Sequence, residues 1–175
     1  MMITIDTVLD VVPVMSLAIA LIYYAMTINS QNKTRQAQLF MRLFETYIAK
    51  EWWRDGWDLL QMEWTDVDDF FQKYDSSVDL ENFEKRYRLW SYLDGMGMLL
   101  KKGLIDKEMI YYLMGGYGAY WNWEKFKDVI KESRVRMNSP DHFVMFEYLA
   151  EAMQKIKLKK KHSLEIPSSW GILTQ

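Results

Sequence analysis

The chain has two histidines, His142 and His162, and no cysteine. Neither histidine sits in an ExxH or HExxH spacing. A di-iron bundle needs the first pattern on facing helices and a zinc protease needs the second, because those spacings put ligands on one helix face. With so few imidazoles and no thiol, the composition argues against a transition-metal centre. Glu63, Asp66, Asp68, Asp69 and Asp75 form an acidic group that could attract calcium. It lacks the sixth-position glycine and closing glutamate of an EF-hand loop, and reads more simply as the capped, acidic start of a helix. Gly115-Gly116-Tyr117-Gly118 is not a phosphate loop, since no Lys-Ser or Lys-Thr follows and no strand precedes it. Its simpler role is a kink or a close helix contact. No serine lies in a nucleophile elbow. No catalytic residue, metal or cofactor is expected.

Three other groups carry binding chemistry instead. Asp94, beside Gly95-Met96-Gly97, is the one carboxylate placed inside an apolar stripe. A buried Asp needs a partner, and Arg86, Arg88 or a tyrosine hydroxyl could supply it. Trp52, Trp53, Trp57 and Trp64 cluster in one helical stretch. They either fill a core or form a partner surface, and adjacent Trp52 and Trp53 point about 100° apart on a helix, so one face does not bury both. On the surface reading, Trp52→Ala leaves folding intact and weakens a partner contact. Lys155, Lys157, Lys159, Lys160 and Lys161 form a basic tract, followed by the apolar tail Ile166 to Leu173 with Trp170. Such a tract suits an anionic membrane surface, and Trp170 suits a partner or the headgroup layer.

The elements that position these groups begin with Val11–Ile28, an eighteen-residue stretch without charge. As a helix rising about 1.5 Å per residue it crosses most of a bilayer core. Its start is acidic (Asp6, Asp10) rather than basic, unlike a signal peptide. Pro13 lies near the beginning, where a missing backbone donor costs little. Tyr23 and Tyr24 suit the far headgroup layer. No Lys or Arg precedes residue 33, whereas Lys33, Arg35 and Arg42 follow the span. That bias places residues 1–7 outside the cell, a transmembrane helix over 8–28 and the remaining chain in the cytoplasm.

Net charge is −2, which gives no reason to expect nucleic acid. Eight Trp, eleven Tyr and eight Phe, with only three Pro and eight Gly and no Asn-Gly or Asp-Gly hairpin signal, point to an all-α body. The periodicity predicts that the first helix continues to about Ala49, and that about five helices form a compact domain over 29–158. Residues 159–175 read as a basic, irregular tail. Thr65 is expected to cap a short helix, and Asp75-Ser76-Ser77 to end it. Leu80, Phe83, Tyr87, Trp90, Leu93, Gly97 and Leu100 form the clearest buried stripe. Gly103 fits the position just past that helix, Asp106 the cap of the next, and Ser139-Pro140-Asp141 the start of the last, with Pro at its first position.

The succession Thr27, Gln31-Asn32 and Thr34-Arg35-Gln36-Ala37-Gln38-Leu39-Phe40, directly after one apolar N-terminal segment, resembles domain-of-unknown-function family 4760 of bacterial and archaeal proteins. Gly103-Leu104-Ile105-Asp106 and the Tyr120-Trp121 helix ending in Ile130-Lys131-Glu132-Ser133-Arg134 are also similar to it. The resemblance covers most of residues 8–136. It implies one span and a helical cytoplasmic domain, and brings no activity or catalytic residues. The expected function is that of a non-catalytic, membrane-anchored accessory or structural subunit, with the bilayer and another membrane protein as partners and a hetero-complex favoured. The alternative is a membrane-tethered sensor or enzyme with a Trp-lined interhelical pocket around Asp94.

Overall fold

In the computed structural model the described residues are 5–114 and 118–160, with side chains from Val12 onward. Among them are seven helices and no strand. They are α1 (Ile5–Ile48), α2 (Lys50–Leu60), α3 (Val67–Tyr74), α4 (Leu80–Lys101), α5 (Lys107–Leu113), α6 (Gly118–Arg136) and α7 (Val144–Lys159). The chain divides after Leu39 into two units. In the first, the side chains from Val12 to Met26 are all exposed, and this helix is long and apolar enough to cross a membrane. Two of its hydroxyls bond back to the helix: Ser16 donates to the Val12 carbonyl at 2.8 Å and Thr27 to that of Tyr23 at 2.9 Å. Such back-bonding removes the cost of a hydroxyl in an apolar setting.

The second unit is a helical body built on α4. Helix α4 packs most extensively against α7, and also against α2 and α3, while α6 packs against α7 and α3. The aromatic-rich sequence becomes a ring-on-ring core. Phe126 lies 5.3 Å from Trp90 and 5.4 Å from Trp64, and Trp123 lies 5.4 Å from Phe146. Burying each such ring stabilises the body by about 1.5–3 kcal/mol. Among the described residues six helices follow α1, in line with the expected bundle of about five, the stretch opened by Asp106 contributing α5 and α6 on either side of residues 115–117, which lie outside the described residues. Leu80 also departs from its expected stripe and is 59% exposed, being the first residue of α4.

Several helix ends are fixed by local caps. Asp66, not Thr65, caps α3 by accepting from Asp69 N, while Thr65 donates to Asp69 from both its backbone and hydroxyl. Asp79 and Asp106 cap α4 and α5, and Gly103 takes the left-handed conformation (φ 66°) just past α4. Other ends are held from across the body. Lys125 donates to the carbonyls of Leu60 and Met62 at 2.8 and 2.9 Å, closing the end of α2. Arg86 donates to the Tyr74 carbonyl at the end of α3, its guanidinium 4.6 Å from the Phe70 ring centroid. Burial pushes the Arg86 pKa down to about 10, so it remains a cation at neutral pH.

The start of α7 is the clearest departure from sequence expectation. Residues 140–143 form turns, the helix begins at Val144, and Phe143 at its cap is left-handed (φ 54°) with no side-chain cap of its own. Asp94 of α4 supplies the cap instead, its Oδ1 accepting from Met145 N and Phe146 N at 2.9 Å each. Beside it, Tyr87 Oη lies 3.0 Å from His142 Nε2. Burial first, then the neighbouring Arg134 cation, lowers the His142 pKa below the usual imidazole value, with Asp94 opposing weakly. A depressed folded-state pKa means the stabilising contribution is present above about pH 6.5 and is lost as pH falls through the folded value. The thermal midpoint of the protein is therefore expected to drop between pH 7.5 and 5.5, and His142→Gln is expected to flatten that slope. An unchanged slope in the variant would assign the pH dependence to other groups.

Candidate functional site

Helix α2 sorts its tryptophans by period. Its inward line is Trp52, Asp55 and Leu59, and its outward line is Trp53 and Trp57, one turn apart. Two ion pairs hold α2 against α4: Asp55 with Arg88, and Asp58 with Lys85 at 2.9 Å. Trp52 is half-buried between Tyr92, 4.4 Å away by ring centroid, and Tyr47, at 6.1 Å. Tyr92 is itself anchored by donating to the Leu43 carbonyl at 2.6 Å, and burial raises its pKa to about 12. Trp52 thus packs against both tyrosines while also bordering the groove described below. Its inward position follows from the i, i+3, i+7 line it shares with Asp55 and Leu59. Trp53 and Trp57 stay 53% and 49% exposed.

These residues border an apolar groove of about 500 Å³. Tyr47, Trp52, Trp53 and Trp57 form one side, Leu89 contributes from α4, and Met114, Gly118, Trp121 and Asn122 form the other side. Asn122 donates to the Gly118 carbonyl at 2.7 Å, and its own carbonyl oxygen has no hydrogen-bond partner among the described residues. An unpaired buried acceptor costs about 1–3 kcal/mol, in a wall that is otherwise aromatic and aliphatic. The groove can bind apolar surface, and among the described residues Tyr47 is the one titratable group that lines it. Sequence reasoning found its tryptophans on α2 but missed Tyr47, Leu89 and Asn122, which only tertiary packing brings to them.

Asp94 does not line this groove. It is half-buried, and its partners are backbone amides rather than Arg86, Arg88 or a tyrosine, because it caps α7. The Trp cluster and Asp94 therefore do not meet in this groove. The acidic group likewise serves local structure: Asp66 and Asp75 accept from backbone amides, Asp69 binds Thr65 and Lys73, and Asp68 pairs with Arg136 at 2.6 Å. Among the described residues no group of three or more His, Asp or Glu is arranged to hold a metal ion.

The residues expected at a membrane surface fall into several places. Tyr23 and Tyr24 are 73% and 64% exposed on α1, and Lys33 and Arg35 are exposed further along it. Lys159 and Lys160 line a second groove, between α5 and α7. Lys157 is a correction: it is fully buried, with its ammonium 5.2 Å from the Trp121 ring centroid and 5.6 Å from that of Tyr120. It continues the inward line Phe146, Ala150 and Met153 at helical spacing, and burial lowers its pKa. Lys161 and Trp170 lie outside the described residues.

Neither the curated proteins nor the solved structures contain a match to this chain. One family model matches residues 14–153, which takes in most of α1 and the helical body through most of α7. By that match the chain belongs to the family described as Domain of unknown function (DUF4760).

Proposed function

We propose that this chain is a non-catalytic interaction protein, anchored in a membrane by α1, that docks another membrane protein through the groove beside α2. The observation that carries the reading is the exposed Trp53–Trp57 pair on the rim of an apolar groove. Large exposed apolar patches mark interaction sites, and tryptophan is enriched at the energetic centres of interfaces. Helix α1 supports the anchor: its exposed side chains are apolar from Val12 to Met26 apart from Ser16 and the two tyrosines, and its basic residues begin at Lys33. On that reading the N-terminus lies outside, the body is cytoplasmic, and the assembly is a hetero-complex in which this chain is the accessory subunit.

Gentle detergent extraction from native membranes, native-gel separation and mass spectrometry of the co-migrating band test the docking. Co-migration with a defined membrane protein is expected. Migration as a lone monomer would count against the reading and favour a small apolar ligand in the same groove, whose volume lies within the range of ligand pockets. Orientation has its own test, since the natural chain has no cysteine to interfere. Ser76→Cys, in the exposed turn after α3, is expected to resist a membrane-impermeant maleimide in intact cells and to react after permeabilisation. Labelling of intact cells would reverse the assigned sidedness.

A further inference from the structure

We propose that the groove between α5 and α7 binds the headgroup of an anionic phospholipid. Lys107, at the start of α5, Lys155 and Lys159, on the last turns of α7, and Lys160 at its cap surround a cleft of about 400 Å³ in which Glu108 is the one lining acid among the described residues. The sequence separates Lys107 from the other three by nearly fifty positions, and the fold brings all four to one cleft. Lys155 also pairs with Glu151 at 3.6 Å, so four ammonium groups stand against two carboxylates, and the net positive charge is complementary to a phosphodiester.

The cleft is not purely polar. Tyr148, Ala152 and Ile156 follow one another at i, i+4 and i+8 on α7 and supply an apolar strip along it. Lys160 donates to the Tyr112 hydroxyl at 2.9 Å, and Tyr112 is 64% exposed. Lysines with long apolar stems beside an exposed tyrosine match the boundary between headgroups and acyl chains. An acidic peptide would use the charges but has no need of the strip. A phospholipid uses both, and it is the anion most available to a chain held at a bilayer, a point that rests on α1 being the anchor.

The test is a titration of the full chain in neutral maltoside detergent with dihexanoyl phosphatidylglycerol, below its micellar concentration, followed by calorimetry and native mass spectrometry. It reads the cleft whether or not α1 spans a bilayer and whether or not the aromatic groove has a partner. Saturable binding of one lipid is expected, at least about tenfold tighter than dihexanoyl phosphatidylcholine, and weakening with salt. Each lysine is expected to contribute about fivefold, so K107Q/K155Q/K159Q/K160Q should lose roughly a hundredfold or more. Circular dichroism checks that the quadruple variant is folded, and the pair K107Q/K159Q, expected to lose about twenty-five-fold, serves if it is not. Equal binding of the two lipids, or undiminished binding by the folded variant, overturns the proposal. Inorganic phosphate displacing the lipid at equal concentration also overturns it, and would make the cleft a free-phosphate site.

Discussion

Gly97→Ala is expected to destabilise the helical body by about 2–4 kcal/mol, seen as a thermal midpoint lower by roughly 10 °C. A Cβ built on Gly97 runs into the backbone carbonyl of Met145, in the first turn of α7, at a separation no real contact allows. The obstacle is backbone rather than the end of a flexible side chain, so relief requires α7 to move away from α4. That movement would also break the cap, since Asp94, one turn before Gly97, accepts from Met145 N and Phe146 N. Asp94→Ala alone is expected to cost about 1–3 kcal/mol, because two amides at the positive end of a helix lose a charged acceptor. The two residues meet the same turn, so the double variant should cost less than the two single losses together. Gly97→Ser should behave like Gly97→Ala. A wild-type melting curve for Gly97→Ala would show that α4 and α7 do not approach so closely. The pair matters beyond stability, because α4 contributes Leu89 to the aromatic groove and α7 with its cap carries Lys155, Lys159 and Lys160 of the second cleft.

The sequence was legible where the physical cause was local. Asp106 and Gly103 act within a few residues of themselves, so their types and positions announced the cap of α5 and the left-handed end of α4. The apolar stretch in α1 needed only length and composition. Ser139-Pro140-Asp141 misled because its capping alternative sits some fifty residues earlier, on α4, where the same Asp94 looked like a site residue. A cap delivered across the fold leaves no local signature. Lys157 misled for a different reason: grouped by composition it belongs with its basic neighbours, but helical period places it on the buried line of Met153. The tryptophans of α2 were identified as a cluster, yet the division between inward Trp52 and outward Trp53 and Trp57 depends on where Tyr47 and Tyr92 stand. Lys107 gave no signal at all, since an exposed lysine in a first turn is unremarkable until α7 is seen beside it.

Trp53→Ala/Trp57→Ala is expected to abolish co-migration with the membrane partner while leaving the melting curve within about 1 kcal/mol of wild type. Both rings are about half exposed, and the one ring contact described for them is the edge-on approach of Trp53 to Tyr47 at 5.1 Å, so truncating them removes a modest part of the packing. At an interface the same two rings would be fully desolvated, and truncating a central aromatic anchor there typically costs 2 kcal/mol or more. Trp52→Ala is expected to behave in the opposite way. Its ring packs against Tyr92 and Tyr47, so its loss should destabilise the body by about 2–3 kcal/mol, with any loss of partner following from the fold. Comparing the two variants at matched stability separates recognition from packing within one helix. If the double variant still co-migrates, the groove is not the docking surface. If it fails to fold, Trp53 and Trp57 are core residues, and their exposure in the isolated chain is not that of the working protein.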